Sequence, residues 1–374
     1  MNNAECTPRS NNRGRRANAA FQSRTRGRGR GRGRGTPVPE AHEIGNSVGH
    51  RQAYPNAVKG ETKLDFVPSI SRSGGDSGQG DTLKDKAVQQ KYWAMIQEKL
   101  AAHWDEFPSR SDRTQLQIEK ESNILLLLRK LREGVLASQR TDEFALEVYE
   151  LSFYLAIIFE SVVQASSSLS HLPELYCALR PESASASQVS SISNGAEALA
   201  VVSLIFHLCE AYPSQLTYYR QERLLARFLL QKGSNSDALK WTLSVRASIN
   251  CKNFTKFEHL TRQSRLNSLI ENIAYLSGQE AREKRHLVQT ALCSVVERLR
   301  RKLRAAVWTI LRSAYREFTI GTETDTSTWL LRSLCLESVG DGRNENIEEW
   351  MERNSKDGLV VKKEGFRGRW MLKR

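Results

Sequence analysis

From residue 86 onward, apolar positions recur at helical spacing. Tyr92, Met95, Ile96 and Leu100 share one face, and the pattern stops before Pro108. Leu116, Ile124, Leu127, Leu128 and Leu131 predict a second helix over 114–137, with Arg129, Lys130 and Arg132 on its outside. A third is predicted from about Asp142 to Val163, where Asp142 and Glu143 suit the positive end of the helix. A shorter helix covers Ser168 to Leu179, and the Ser/Ala-rich stretch 182–194 reads as a loop or insertion. Further helices follow at 195–211, 214–231, 236–250, 253–262, 265–277 and 281–318, parted by short turns at Pro213, Gly233-Ser234 and Gly278. Short connectors favour antiparallel neighbours, so the layout is that of stacked helix pairs, an α-solenoid.

The end of the chain changes period. Trp329, Leu330, Leu334 and Leu336 predict a helix over 327–336, and Ile347, Trp350 and Met351 another over 344–353. Residues 358–363 and 366–372 then read as two strands around a tight turn at Glu364-Gly365. Helices followed by one β-hairpin are the plan of a winged helix. The predicted fold is therefore mainly α, with a helical domain over 86–300 and a small winged helix over 301–374. Cys209, Cys251, Cys293 and Cys335 fall 42 residues apart, but their surroundings do not match, so they read as small hydrophobes in helix cores and not as a repeat.

Charge changes the picture for residues 1–85. The chain of 374 residues carries +14, of which residues 1–36 hold +9 from ten Arg and one Glu. Thirteen of the 23 Gly precede residue 86, and all nine Pro lie at or before Pro213. Such a segment buries too little apolar surface to fold alone, and a disordered arm is predicted. Its sharpest feature is the alternation of Arg26, Arg28, Arg30, Arg32 and Arg34 with Gly. A free backbone bearing a guanidinium at every second residue can follow phosphates and stack on exposed bases, in RNA or in DNA, without reading sequence. A solvated tail that assists nuclear import is the other reading. Six Cys do not make a disulfide scaffold, and no run of 18 apolar residues or signal-peptide core is seen. The expectation is an intracellular soluble protein with no membrane association.

Enzyme chemistry finds no foothold. There is no phosphate loop, no GxGxxG and no GxSxG, and the seven His form no HxxxH pair. No CxxC offers a zinc site, so no metal, cofactor or small-molecule substrate is expected. The helix over 298–316 says more. Leu303, Ala306, Val307, Ile310, Leu311 and Ala314 make one buried stripe, leaving Arg301, Arg304, Trp308 and Arg312 on the opposite side. A basic row with one exposed aromatic can track phosphates and stack a base, or offer Trp308 to a protein partner. A plain solvated face, with Arg stems over apolar surface, is the alternative. On the predicted hairpin, Lys362, Lys363, Arg367 and Arg369 flank Phe366 and Trp370, the candidate partner-binding aromatics.

Several strings carry a resemblance. Thr141 to Glu150 (TDEFALEVYE) is similar to the "TEFTVEVYE" signature of the Sac-three/GANP family, closest to its Thp-three / leukocyte-receptor-cluster-member branch. Leu128 to Leu136 sits where that branch has "SIRQDLTVQ", and Leu169, Leu172, Leu175 and Tyr176 match its "QLKSLY" end. Ala238 to Leu260 resembles the family pattern that carries Asn253, Phe254, Phe257 and Leu260, and 303–318 resembles its "RxxALxxxxxAY" segment. The resemblance implies a PCI-type architecture, stacked helices capped by a winged helix. It implies a non-catalytic nuclear scaffold that couples transcription elongation and splicing to messenger-RNA export. It also implies pairing with a second PCI-domain protein, assisted by a small acidic Dss/Sem-type subunit, and a basic platform for nucleic acid. Lys362, Lys363, Arg367, Arg369 and the row from Arg298 to Arg312 match that platform. The segments 182–194 and 282–301 stand out as insertions. Rival readings are a PCI subunit of a proteasome-lid, signalosome or initiation-factor complex, an RNA-modifying enzyme with a helical accessory domain, and an arginine–glycine RNA chaperone.

Overall fold

The computed structural model describes residues 67, 79–108, 113–179, 186–228, 236–273, 279–321, 325–340 and 344–373. The protein is mainly helical and ends in a small antiparallel sheet. The elements in order are α1 (Lys86–Glu106), α2 (Gln115–Ala137), α3 (Glu143–Ile158), α4 (Val162–Leu169), α5 (Leu172–Ala178), α6 (Ala186–Ala211), α7 (Leu216–Phe228), α8 (Asp237–Asn250), α9 (Phe254–Leu260), α10 (Gln263–Ile273) and α11 (Gln279–Ala314). Then come β1 (Glu317–Thr319), α12 (Asp325–Ser333), α13 (Ile347–Lys356), β2 (Val360–Lys362) and β3 (Arg369–Leu372).

Short polar side chains start many of these helices. Asp85 accepts from the Ala87 N–H at 2.7 Å, Thr114 from Gln117 at 3.2 Å and Asp142 from Ala145 at 3.1 Å. Asn253 accepts from the Lys256 N–H at 3.0 Å and so opens α9, after which Phe257 is buried.

The boundaries depart from the sequence pattern in four places. The helix expected over 142–163 breaks after Ile158, because Glu160 turns left-handed at φ 61° and the Ser161 N–H reaches back to the Ala156 carbonyl at 2.8 Å. A separate short helix, α4, then covers 162–169, and the helix expected from Ser168 starts only at Leu172, as α5, after Ser170 and His171. Residues 186–194, expected as loop, belong to α6. Ala is the strongest helix former and Ser a middling one, so this stretch can extend a helix that the long apolar run from Ala196 to Cys209 packs into the core. Finally, α11 stops at Ala314, and 317–319 form a strand where helix was expected.

The end of the predicted disordered arm also folds. Leu83 is fully buried, and its carbonyl accepts from Gln89 Nε2 at 2.8 Å. Gly134 of α2 makes room for it, since a Cβ there would lie 2.6 Å from the Leu83 carbonyl oxygen. Val67 is buried as well.

The described residues form one compact unit with two apolar clusters. The larger is built on α1 to α10 and on α11 as far as Leu303. The smaller gathers Val307, Trp308, Leu311, Phe318, Leu330, Trp350, Val360 and Trp370. Helix α11 runs through both, so it sets the distal sheet against the helical body. Arg300, only 1% exposed, fixes the junction. It donates to the Thr261 carbonyl and hydroxyl, both at 3.0 Å, and to the Glu337 carbonyl at 3.1 Å.

Candidate nucleic-acid interface

The sheet order is β1-β3-β2, with β3 antiparallel to both neighbours. Phe318 lies opposite Trp370, and Lys362 lies opposite Trp370 on the other side. Side chains alternate along a strand, so Phe318, Trp370 and Val360 face the smaller core while Glu317, Arg369 and Lys363 face outward. The turn that joins β2 to β3 is shaped by Gly365 at φ 76° and Gly368 at φ 73°. A Cβ on Gly368 would run into the Ile320 carbonyl, and the Ile320 N–H donates to the Gly368 carbonyl at 2.7 Å. The turn is thereby held against the end of β1.

At the tip stands Phe366, 52% exposed and outside both apolar clusters. Lys363 Nζ lies 5.0 Å from its ring centroid and the Arg369 guanidinium 4.9 Å. Arg367 is exposed in the same turn. Glu317 on β1 faces two of these cations, at 3.5 Å from Lys363 and 3.9 Å from Arg369. Lys362 sits on the reverse of the strand, over the Trp370 ring at 5.5 Å. The structure thus brings Lys363, Arg367, Arg369 and Phe366 together and turns Lys362 away from them. Trp370, a candidate for partner contact, is 3% exposed and belongs to the core. Glu317 escaped the sequence reading because helix was expected through residue 318. The alternation Phe318, Ile320 before Gly321 is the period-two signal that marks the strand.

The α11 row is corrected more deeply. Trp308, read as exposed, is 5% exposed and packs edge-on against Trp350, centroids 4.5 Å apart. Ile310, read as buried, is 43% exposed, and Ala314 is exposed. The buried face of α11 here is Leu303, Val307, Trp308 and Leu311 because α12 and α13 cover that side. Arg304 points inward with them. It donates to the Leu334 and Cys335 carbonyls at 2.9 and 2.8 Å, ending α12, and to Glu345 at 2.7 Å. Burial lowers its pKa, and the Glu345 carboxylate offsets part of that. Arg301 is exposed and pairs with Glu160 at 3.2 Å, and Arg312 donates to the Lys373 carbonyl at 3.0 Å. The four residues form no common phosphate-tracking row. Arg26, Arg28, Arg30, Arg32 and Arg34 lie outside the described residues.

Neighbouring surface has another character. The exposed side of α13 carries Glu348, Glu349 and Glu352 beside Arg353 and Lys356. A cleft of about 340 Å³ between α11 and α13 is lined by Glu297, Arg301, Arg304, Glu345, Glu349 and Arg353 among others, and in it Glu345 pairs with both Arg304 and Arg353. Among the described residues, no group of three His, Cys, Asp or Glu is placed to hold a metal ion. No described helix is long and apolar enough to cross a membrane. Comparison of the chain with protein-family models and with curated proteins finds no match.

Proposed function

We propose that this chain is a non-catalytic nuclear scaffold of messenger-RNA biogenesis, which holds RNA on the β2–β3 hairpin and pairs with a second PCI-type protein. The observation that carries the RNA part is the hairpin tip, where Lys363 and Arg369 flank an exposed Phe366 and Arg367 is exposed in the same turn. Residues 358–373 hold Lys362, Lys363, Arg367, Arg369 and Lys373 against Glu364 alone. Cations around a ring provide what a phosphate chain and its bases can use together. The arginine–glycine tract adds sequence-blind phosphate contacts by its composition.

The scaffold part rests on architecture and on the sequence strings. The end of α11, β1, α12, α13, β2 and β3 follow one another as in a winged helix, with the first strand paired to the last. Helices α1 to α11 precede it, as the stacked helices of a PCI-type protein do. The strings at 141–150 and 238–260 resemble the Sac-three/GANP family, whose members work in transcription-coupled processing, splicing and export. That resemblance brings with it the second PCI protein and the small acidic Dss/Sem-type subunit.

Affinity purification from nuclear extract, with and without RNase, tests the assignment. The expected result is a second PCI protein and a small acidic subunit that both survive RNase. Proteasome-lid, signalosome or initiation-factor subunits in their place would move the protein to those assemblies. Partners that all vanish with RNase would remove the scaffold role.

A further inference from the structure

We infer that the hairpin takes single-stranded nucleic acid, with an unpaired base stacked on Phe366 and its flanking phosphates on Lys363, Arg367 and Arg369. The inference rests on the nucleic-acid reading of this hairpin and narrows it to one kind of strand.

The first reason is electrostatic. A helix that enters a duplex groove must pass between two phosphate chains, about one negative charge per 1.7 Å of axis. Helix α13 is the helix directly before the hairpin, and Glu348, Glu349 and Glu352 are all exposed on it. Two of the three lie in its first turn. Its two exposed cations, Arg353 and Lys356, follow in the last turn, and Arg353 already contacts Glu345. Three carboxylates would meet the phosphates of a duplex docked on α13. A strand reaching only the hairpin avoids them.

The second reason is the ring. Phe366 contributes to neither apolar cluster, so the fold does not need it. Yet its place is fixed. The Arg369 N–H donates to the Phe366 carbonyl at 3.4 Å, the Phe366 N–H donates to the Lys363 carbonyl at 3.4 Å, and the two glycines set the turn. A ring held in solvent between two cations is a stacking platform with phosphate anchors on either side. Paired bases inside a duplex expose no face for it, whereas an unpaired base does.

The third reason is the state of the cations. Their carboxylate neighbour on the sheet is Glu317, at 3.5 and 3.9 Å and itself exposed. Pairs this loose on a wet surface are worth little, and a phosphate can replace the carboxylate.

The test uses the full chain at raised salt, where the phosphate contacts of the arm weaken. Fluorescence anisotropy is read with a short oligouridine, an oligothymidine of equal length and an RNA duplex of equal length. Phe366→Leu keeps bulk and removes the aromatic face. It should weaken both single strands by about tenfold, the scale of one lost base–aromatic stack, and leave the duplex unchanged. Ultraviolet crosslinking to oligouridine should place the adduct on the tryptic peptide that contains Phe366. Equal effects of Phe366→Leu on single strand and duplex, or no effect on either, would overturn the single-strand inference. A combined Lys363→Ala, Arg367→Ala, Arg369→Ala variant separates the two levels. If it weakens binding while Phe366→Leu does not, the hairpin still binds nucleic acid but without stacking. If neither variant matters, the nucleic-acid reading falls with the inference, and the face is left to a protein partner.

Discussion

At the scale of single residues, Glu317 and Arg300 show how position decides what a charge does. Both lie in segments rich in charge, and neither stands out by composition. Glu317 is exposed on a strand and competes with phosphate for Lys363 and Arg369. Glu317→Gln should therefore tighten oligouridine binding by about two- to fivefold, the scale of an exposed ion pair. Anisotropy titrations at two salt concentrations would show it, with the gain shrinking as salt rises. Unchanged affinity would mean that the outer face of the sheet does not meet the strand. Arg300 is the reverse case. Its guanidinium is spent on Thr261 and Glu337 inside the protein and is closed to any ligand.

At the scale of elements, the helices were readable because each carries its own signals. Asp85, Thr114, Asp142 and Asn253 cap the helices they precede, and the i, i+3, i+4 stripes mark the buried faces of α1 and α2. Breaks were less readable. The left-handed turn at Glu160 has no glycine to announce it, and a run from Leu155 to Phe159 that is apolar throughout gives no periodicity to interrupt. The hairpin was visible from the turn at Glu364-Gly365 and the apolar residues on either side, but its third strand was not, because β1 is three residues long and follows directly on a helix. Gly368 ties the hairpin to that strand. Gly368→Ala would impose a strained backbone and a clash with Ile320, costing roughly 2 kcal/mol of local stability. Hydrogen exchange should show faster exchange in β3 amides with the α1–α10 amides unaffected, and oligouridine affinity should fall alongside. Retained protection in β3 would show that the turn can relax at no such penalty.

At the scale of the whole molecule, burial couples stability to pH. Burial pushes the Cys209 thiol up to about 11 from an ordinary 9, although nearby Arg298 and Lys302 pull it back. Cys335 is likewise raised to about 11, chiefly by burial and against the pull of Arg300. Between pH 9 and 11 the unfolded chain releases these protons and the folded chain keeps them. The contribution is therefore whole below pH 9 and is lost as pH rises toward 11, up to roughly 2 to 3 kcal/mol for each thiol. Tyr154 and Tyr176 act in the same direction above pH 10, since burial and then the Glu150 carboxylate raise both hydroxyls. Thermal melts should show the midpoint falling between pH 9 and 11. Cys209→Ala combined with Cys335→Ala should lower the midpoint at pH 8 but flatten the fall between pH 9 and 10. An unchanged slope would assign the loss to other groups.

The sequence by itself determined the mainly helical architecture, most helix starts, the terminal hairpin and the concentration of positive charge on it. These are local properties, set by spacing, capping and turn chemistry within a few residues. The tertiary structure alone decided which faces are covered. Periodicity groups Leu303, Val307 and Leu311 on α11, but it cannot tell whether their flank is Ala306 and Ile310 or Arg304 and Trp308. That choice belongs to α12 and α13, which arrive later in the chain and bury Trp308 against Trp350. The same holds for the candidate site. Four cations and two aromatics were legible as a cluster, yet only the pairing of β3 with both neighbours sends Trp370 and Lys362 one way and Lys363, Arg369 and Glu317 the other. Strand alternation has two faces, and only the packed core shows which of them meets solvent.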